Sequence, residues 1–163
     1  MRLSSKLKSV FAVKNKSQGS DVKFQKSLIP TLISEHKELR FLHYQVINAA
    51  SDQNSELTRQ LLGRYKTTLV NHLLKENNSL YTYLKHSIDD HTSTELIINI
   101  KNEMDDIGRT VTNFLQRALA ESYEFNDTFI SEFQNIGDIL DKRMRREERF
   151  LYSYYQQQKQ QND

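Results

Sequence analysis

Apolar residues recur in alternating steps of three and four along four stretches of the chain, the spacing of one face of an α-helix. The first stretch runs from about residue 28 to 50 and places Leu32, His36, Leu39, His43, Val46 and Ala50 on one face. Pro30 falls in its first turn, where a missing N–H costs nothing. The second follows the Ser51-Asp52-Gln53-Asn54 turn and reaches about residue 87, with Leu57, Leu61, Tyr65, Leu69, His72, Glu76, Leu80 and Tyr83 inward. The third opens on Thr92-Ser93-Thr94-Glu95, which reads as a capping box, and carries Ile97, Ile100, Met104, Ile107, Val111, Phe114 and Ala118. The fourth begins near Asn126-Asp127 and carries Phe133, Ile136, Leu140, Arg143, Glu147, Leu151 and Tyr154. Four such helices with short links predict an all-α fold, an antiparallel up-down four-helix bundle over residues 27–158. A flexible basic N-terminal arm, residues 1–26, precedes it, and a polar tail, residues 159–163, follows.

The stripes are not purely apolar, and the exceptions repeat. His72-x-x-x-Glu76 is followed by Leu80-Tyr81, and Arg143-x-x-x-Glu147 by Leu151-Tyr152. Upstream of each stands a second pair, Glu35-His36 and Glu103-Met104. The chain therefore reads as two helical hairpins of one design. In an antiparallel bundle, residues equally far from a shared turn lie at one height. Glu76 and Met104 are equidistant from Asp90, and Met104 and Glu147 nearly so from Phe125. His36 and His72 differ by one helical turn about Asp52. His36, His72, Glu76, Met104, Arg143 and Glu147 are thus expected in one slab of the core. A histidine and a carboxylate at i and i+4 point the same way and can reach one ion. Any one of these residues alone reads more simply as a hydrogen-bonded core histidine or a surface ion pair. Six sharing a height and a facing point to a site.

Composition narrows what such a site can do. The 163 residues suffice for one domain with a core, and 4 Gly with 1 Pro suit long helices. Without cysteine, disulfides, zinc–thiolate sites and thiol chemistry are excluded. No apolar run approaches the roughly 20 residues of a membrane span, and the basic start lacks a signal-peptide apolar region. A cytoplasmic location is expected. Net charge is +2, but Arg2, Lys6, Lys8, Lys14, Lys16, Lys23 and Lys26 face Asp21 alone within residues 1–26. That surplus of six leaves the rest of the chain at −4, which argues against nucleic-acid binding by the bundle. The arm is a solvated tail, or, with Leu3, Leu7, Val10 and Phe11 at helical spacing, an amphipathic helix for a membrane surface or a partner. No nucleophile–base pair, phosphate-cradling glycine loop or dinucleotide fingerprint is present, so a non-enzymatic regulatory or interaction module with an unidentified protein partner is expected.

The motifs together resemble the hemerythrin-like, or HHE cation-binding, family over roughly residues 27–155. That family's first and third helices carry Glu-His, here Glu35-His36 and Glu103-Met104. Its second and fourth carry His-x-x-x-Glu and then Leu-Tyr/Phe-Pro, here His72, Glu76, Leu80-Tyr81 and Arg143, Glu147-Glu148, Leu151-Tyr152. The resemblance implies two irons bridged by carboxylates of the second and fourth helices. His36, His72, Glu76 and Glu147 would retain one iron's ligands. Met104 and Arg143 stand where the other iron's histidines would be, and neither ligates such an ion. Reversible dioxygen binding at a metal pair is therefore not expected. Two states remain: no metal, with the Arg143 guanidinium neutralising Glu76 and Glu147, or a single iron, manganese or zinc ion. The metal-free state is preferred, because a guanidinium repels a nearby cation and neither His43, His86 nor His91 replaces a lost ligand. Ile136 to Arg143 with Glu147, and Leu69 to His72 with Leu80-Tyr81, are also similar to bacterial anti-sigma regulators of the Rsd/AlgQ type. That similarity implies a helical bundle that binds a sigma factor.

Overall fold

The computed structural model describes residues 23–158. Helix α1 spans Leu28–Ser51 and α2 Ser55–Lys75. α2 runs through a π-helical turn, Glu76–Tyr81, into α3, Thr82–Ser87. Helix α4 spans His91–Ala118. Helix α5, Asp127–Arg146, likewise passes through a π-helical turn, Glu147–Leu151, into α6, Tyr152–Gln158. The described residues thus form four long rods and no strand, an all-α four-helix bundle. Short links make successive rods antiparallel, and contacts of α1 with α5 close the ring. None of the described helices is long and apolar enough to cross a membrane.

Local chemistry sets the helix starts. The Asn54 side chain accepts from Leu57 N, and the Asn126 side chain from Phe129 N, satisfying otherwise orphaned amides. The third rod starts earlier than the Thr92–Glu95 capping box expected. Asp90 is the cap, its two oxygens accepting from Thr92 N and Ser93 N. At the end of α1, Asn54 N bonds Ala49 O and Gln53 N bonds Ala50 O, a Schellman closure with Gln53 in the left-handed region at φ 56°.

Packing divides the interior in two. One apolar cluster joins Leu42, Val46, Leu62, Tyr65, Leu69, Leu115, Phe129 and Phe133. The other joins Leu28, Leu32, Leu80, Tyr83, Leu84, Leu151 and Tyr155. Phe24 and Gln25, on the arm side of the boundary expected at Ser27, belong to the second region. Phe24 stacks on Tyr155 at 4.8 Å, and Gln25 N donates to Tyr155 Oη at 2.8 Å. The remainder of the expected arm and the tail lie outside the described residues. Some expected core positions differ. Leu57 is exposed and His43 and Ile107 are half-buried. Tyr155 rather than Tyr154 is buried, because the π-helical turn adds a residue and advances everything after it.

Candidate metal centre

Between the two clusters lies a buried polar layer. His36 comes from α1 and His72 from α2, while Glu76 and Glu147 are the first residues of the two π-helical turns. All four are buried, and one nitrogen or oxygen from each lies within 4.8 Å of the others. Isolated carboxylates at that depth are costly unless they are paired or bound to a cation. π-helical turns are rare and frequently mark functional sites, and here each opens on one of the carboxylates.

The imidazoles are oriented by their outer nitrogens. His36 Nδ1 lies 2.7 Å from Glu148 Oε1, and His72 Nδ1 lies 2.9 Å from Glu35 Oε2. A carboxylate accepts only, so each Nδ1 carries a proton, and in the neutral ring Nε2 presents a lone pair. The two Nε2 atoms face one another at 3.0 Å. Burial first, and then the neighbouring His72, push His36 down to about 4 against the pull of Glu148, so its ring is neutral near pH 7. The outer carboxylates are gripped in turn. Lys75 Nζ pairs with Glu35, and Arg40 donates to Glu148 Oε1 at 3.2 Å and to Asp141 Oδ1 at 2.6 Å. Burial works to raise the Glu35 and Glu148 carboxyls, but the hydrogen bonds from His72 and His36, backed by Lys75 and Arg40, outweigh it and hold both below the usual range.

Around the facing nitrogens stand three oxygens. Glu147 Oε2 is 3.6 Å from His36 Nε2, and Glu76 Oε2 is 3.6 Å from His72 Nε2. Tyr152 Oη donates to Glu76 Oε1 at 2.8 Å and lies 3.1 Å from His36 Nε2. Burial and the Glu76 and Glu147 charges raise the Tyr152 phenol far above its usual value, keeping it a donor. Among the described residues, no hydrogen-bond donor reaches Glu76 Oε2. Burial first and Glu76 second push the Glu147 carboxyl well up, against the opposing pull of Arg143. Two lone pairs and two carboxylates therefore converge with one shared phenol proton among them. This is a donor set that fits one cation.

The positions of the other two expected residues differ from each other. Arg143 is buried, and its Nε donates to Glu147 Oε1 at 3.0 Å. Nη2 donates to Ile100 O at 2.8 Å and to Tyr81 Oη at 3.4 Å, and Nη1 to Glu103 Oε2 at 3.4 Å. Its carboxylate partners are thus Glu147 and Glu103, rather than Glu147 and Glu76 as the sequence suggests. Met104 sits in the first apolar cluster, not in the polar layer. His43 is remote, stacked on Phe133 at 4.5 Å, and His86 and His91 are exposed. Sequence reasoning assigned no role to Glu35, Glu148 and Tyr152 in orienting the site. Their one signal is the duplication of the motifs that contain them.

A family model described as the hemerythrin HHE cation-binding domain matches residues 27–157. No curated protein and no solved structure matches the chain. The matched span covers all but the last residue of the four rods and every residue of the polar layer, so the chain belongs to the hemerythrin HHE cation-binding domain family.

Proposed function

We propose that this domain is a cytoplasmic, non-enzymatic regulatory module that responds to one divalent transition-metal ion held by His36, His72, Glu76 and Glu147. The observation that carries the reading is the pair of Nε2 atoms 3.0 Å apart, each with its Nδ1 committed to a carboxylate. Two imidazoles with two carboxylates suit iron(II), manganese(II) or zinc(II). Arg143 supplies the charge that a second ion would bring. The sequence alone favours an empty layer because a guanidinium repels cations. In the fold, however, Arg143 meets Glu147 through Oε1 while Oε2 faces His36, so the carboxylate lies between the guanidinium and the imidazoles. When bound, the ion would supply positive charge and Lewis acidity at a dry point of the core. The residues that would hold it come from three rods, so loading ties those rods together. At a free concentration of 100 Kd it would stabilise the fold by about 2.7 kcal/mol, which a partner protein can read as a rigid surface.

About half of the positions behind the anti-sigma similarity, among them Leu69, Leu80, Ile136 and Leu140, are buried and report a bundle core rather than a docking face. Metal analysis of the full chain purified without chelator tests the proposal, with His72→Ala beside it. One ion per chain in the parent and close to none in the variant is expected. No uptake by the parent on titration with iron(II), manganese(II) and zinc(II), or uptake of two ions, overturns it.

A further inference from the structure

Around the four inner groups runs a second tier of charge that the sequence assigns to no role. Glu148 on the fourth rod holds His36 on the first at 2.7 Å, and Glu35 on the first holds His72 on the second at 2.9 Å. Each carboxylate has a surface cation behind it, Arg40 for Glu148 and Lys75 for Glu35. The two hairpins offer an internal comparison. By the duplicated motifs, Asn77 stands where Glu148 stands in the other half, and Met104 where His36 stands. Carboxylate and imidazole are thus both present in one half and both replaced in the other. Glu103, the counterpart of Glu35, still faces a donor, the Arg143 Nη1 that occupies the place of His72. In each case the outer carboxylate accompanies an N–H to bind.

We infer that Glu35 and Glu148 are positioning residues for the ion: each fixes its imidazole with the proton on Nδ1, so that both Nε2 lone pairs are aimed at one point before any ion arrives. The inference rests on the single-ion reading of the layer. Its physical basis is general. A free imidazole turns about its side-chain bonds and exchanges tautomers, and a carboxylate on the outer nitrogen removes both freedoms while raising the basicity of the inner one. Arg40 and Lys75 hold the carboxylates in place and restrain them from swinging into solvent, since both acids are only partly buried.

The test uses the full chain, with zinc(II) titrated against a chromophoric chelator, and Glu35→Met, Glu148→Met, Glu35→Gln and Glu148→Gln as variants. The Met variants are expected to bind one zinc about 10- to 100-fold more weakly than the parent. The Gln variants keep an acceptor oxygen and should recover part of the loss, while metal-free melting temperatures do not follow this order. Long-range proton–nitrogen spectra read the tautomers directly. The parent should show His36 and His72 protonated on Nδ1, and each Met variant should lose that signature at its own histidine alone. Zinc affinity unchanged in both Met variants, or falling only in step with metal-free stability, overturns the positioning role and leaves the single-ion reading standing. If instead the parent takes up no zinc, the single-ion reading falls. The metal-free spectra then decide the orienting role by themselves, and identical tautomers in parent and Met variants overturn it.

Discussion

Arg143 gives its N–H groups to four acceptors, Glu147, Glu103, Ile100 O and Tyr81. Burial works against its charge, and Glu147 more than offsets this, raising its pKa. Arg143→Leu should therefore leave Glu147 buried without its partner and cost about 3–5 kcal/mol in urea unfolding at neutral pH. A variant as stable as the parent would mean that Glu147 is already protonated and the pair carries nothing. His43 is the other residue with a legible consequence. Its ring stacks on Phe133, its Nδ1 finds no partner among the described residues, and a Cβ on Gly137 would lie 2.3 Å from its Cε1 and Nε2. Burial lowers its pKa below 6.5, with Asp138 opposing. Below pH 6.5 the unfolded chain therefore takes a proton that the native ring resists, and stability is lost as pH falls. His43→Leu should flatten the stability profile between pH 6.5 and 5 relative to the parent. Parallel profiles would remove the assignment. At this scale the buried polar positions are legible in the sequence because polar groups on an apolar stripe stand out. It concealed Glu35 and Glu148 because they lie off the stripe, and only the crossing of helices brings them to a ring nitrogen.

Helices were legible wherever periodicity alone decides them, and misread where the backbone changes pitch. The stripe of the fourth rod continues in steps of three and four as far as Leu151, and the same rule then selects Tyr154. The π-helical turn Glu147–Leu151 holds one residue more than an α-turn, so Tyr152 and Tyr155 come inward instead. The second rod does the same at Glu76–Tyr81, where Leu80 and Tyr81 are both buried. Adjacent buried residues in the repeated Leu-Tyr pair are the one trace of this in the sequence. The shift has a purpose in the site, because it carries Tyr152 to Glu76 Oε1. Gln53 takes the left-handed position of a Schellman closure, where a side chain costs about 1 kcal/mol and glycine does not. Gln53→Gly should raise stability by several tenths of a kcal/mol despite the added freedom of the unfolded chain. A lower melting temperature would show that the Gln53 side chain contributes more than its backbone strain removes.

For the molecule as a whole, the informative fact is that two hairpins with repeated motifs differ at corresponding positions. One half has His36 with Glu148, and the other has Met104 with Asn77. His72 stands beside Glu35, while Arg143 answers Glu103. The bundle tolerates this because the replacements suit what surrounds them. A thioether joins the neighbouring apolar cluster, and a guanidinium brings a fixed positive charge to Glu147. The asymmetry is visible in the sequence but not its extent, since Asn77 at the position matching Glu148 becomes meaningful only once Glu148 is seen on His36. Restoring the second half should therefore take three changes rather than two. Met104→His with Arg143→His would supply both imidazoles, and Glu103 already stands ready to orient the one at 143. The imidazole at 104 would still lack its carboxylate, so Asn77→Glu should be needed to fix its tautomer. The double variant is expected to take up a second ion weakly, and the triple variant to hold two per chain through desalting, read as metal content against protein concentration. A triple variant that folds, melts cooperatively and still holds a single ion would show that the halves differ in backbone spacing. The duplicated motifs would then be a likeness of sequence without a matching likeness of geometry.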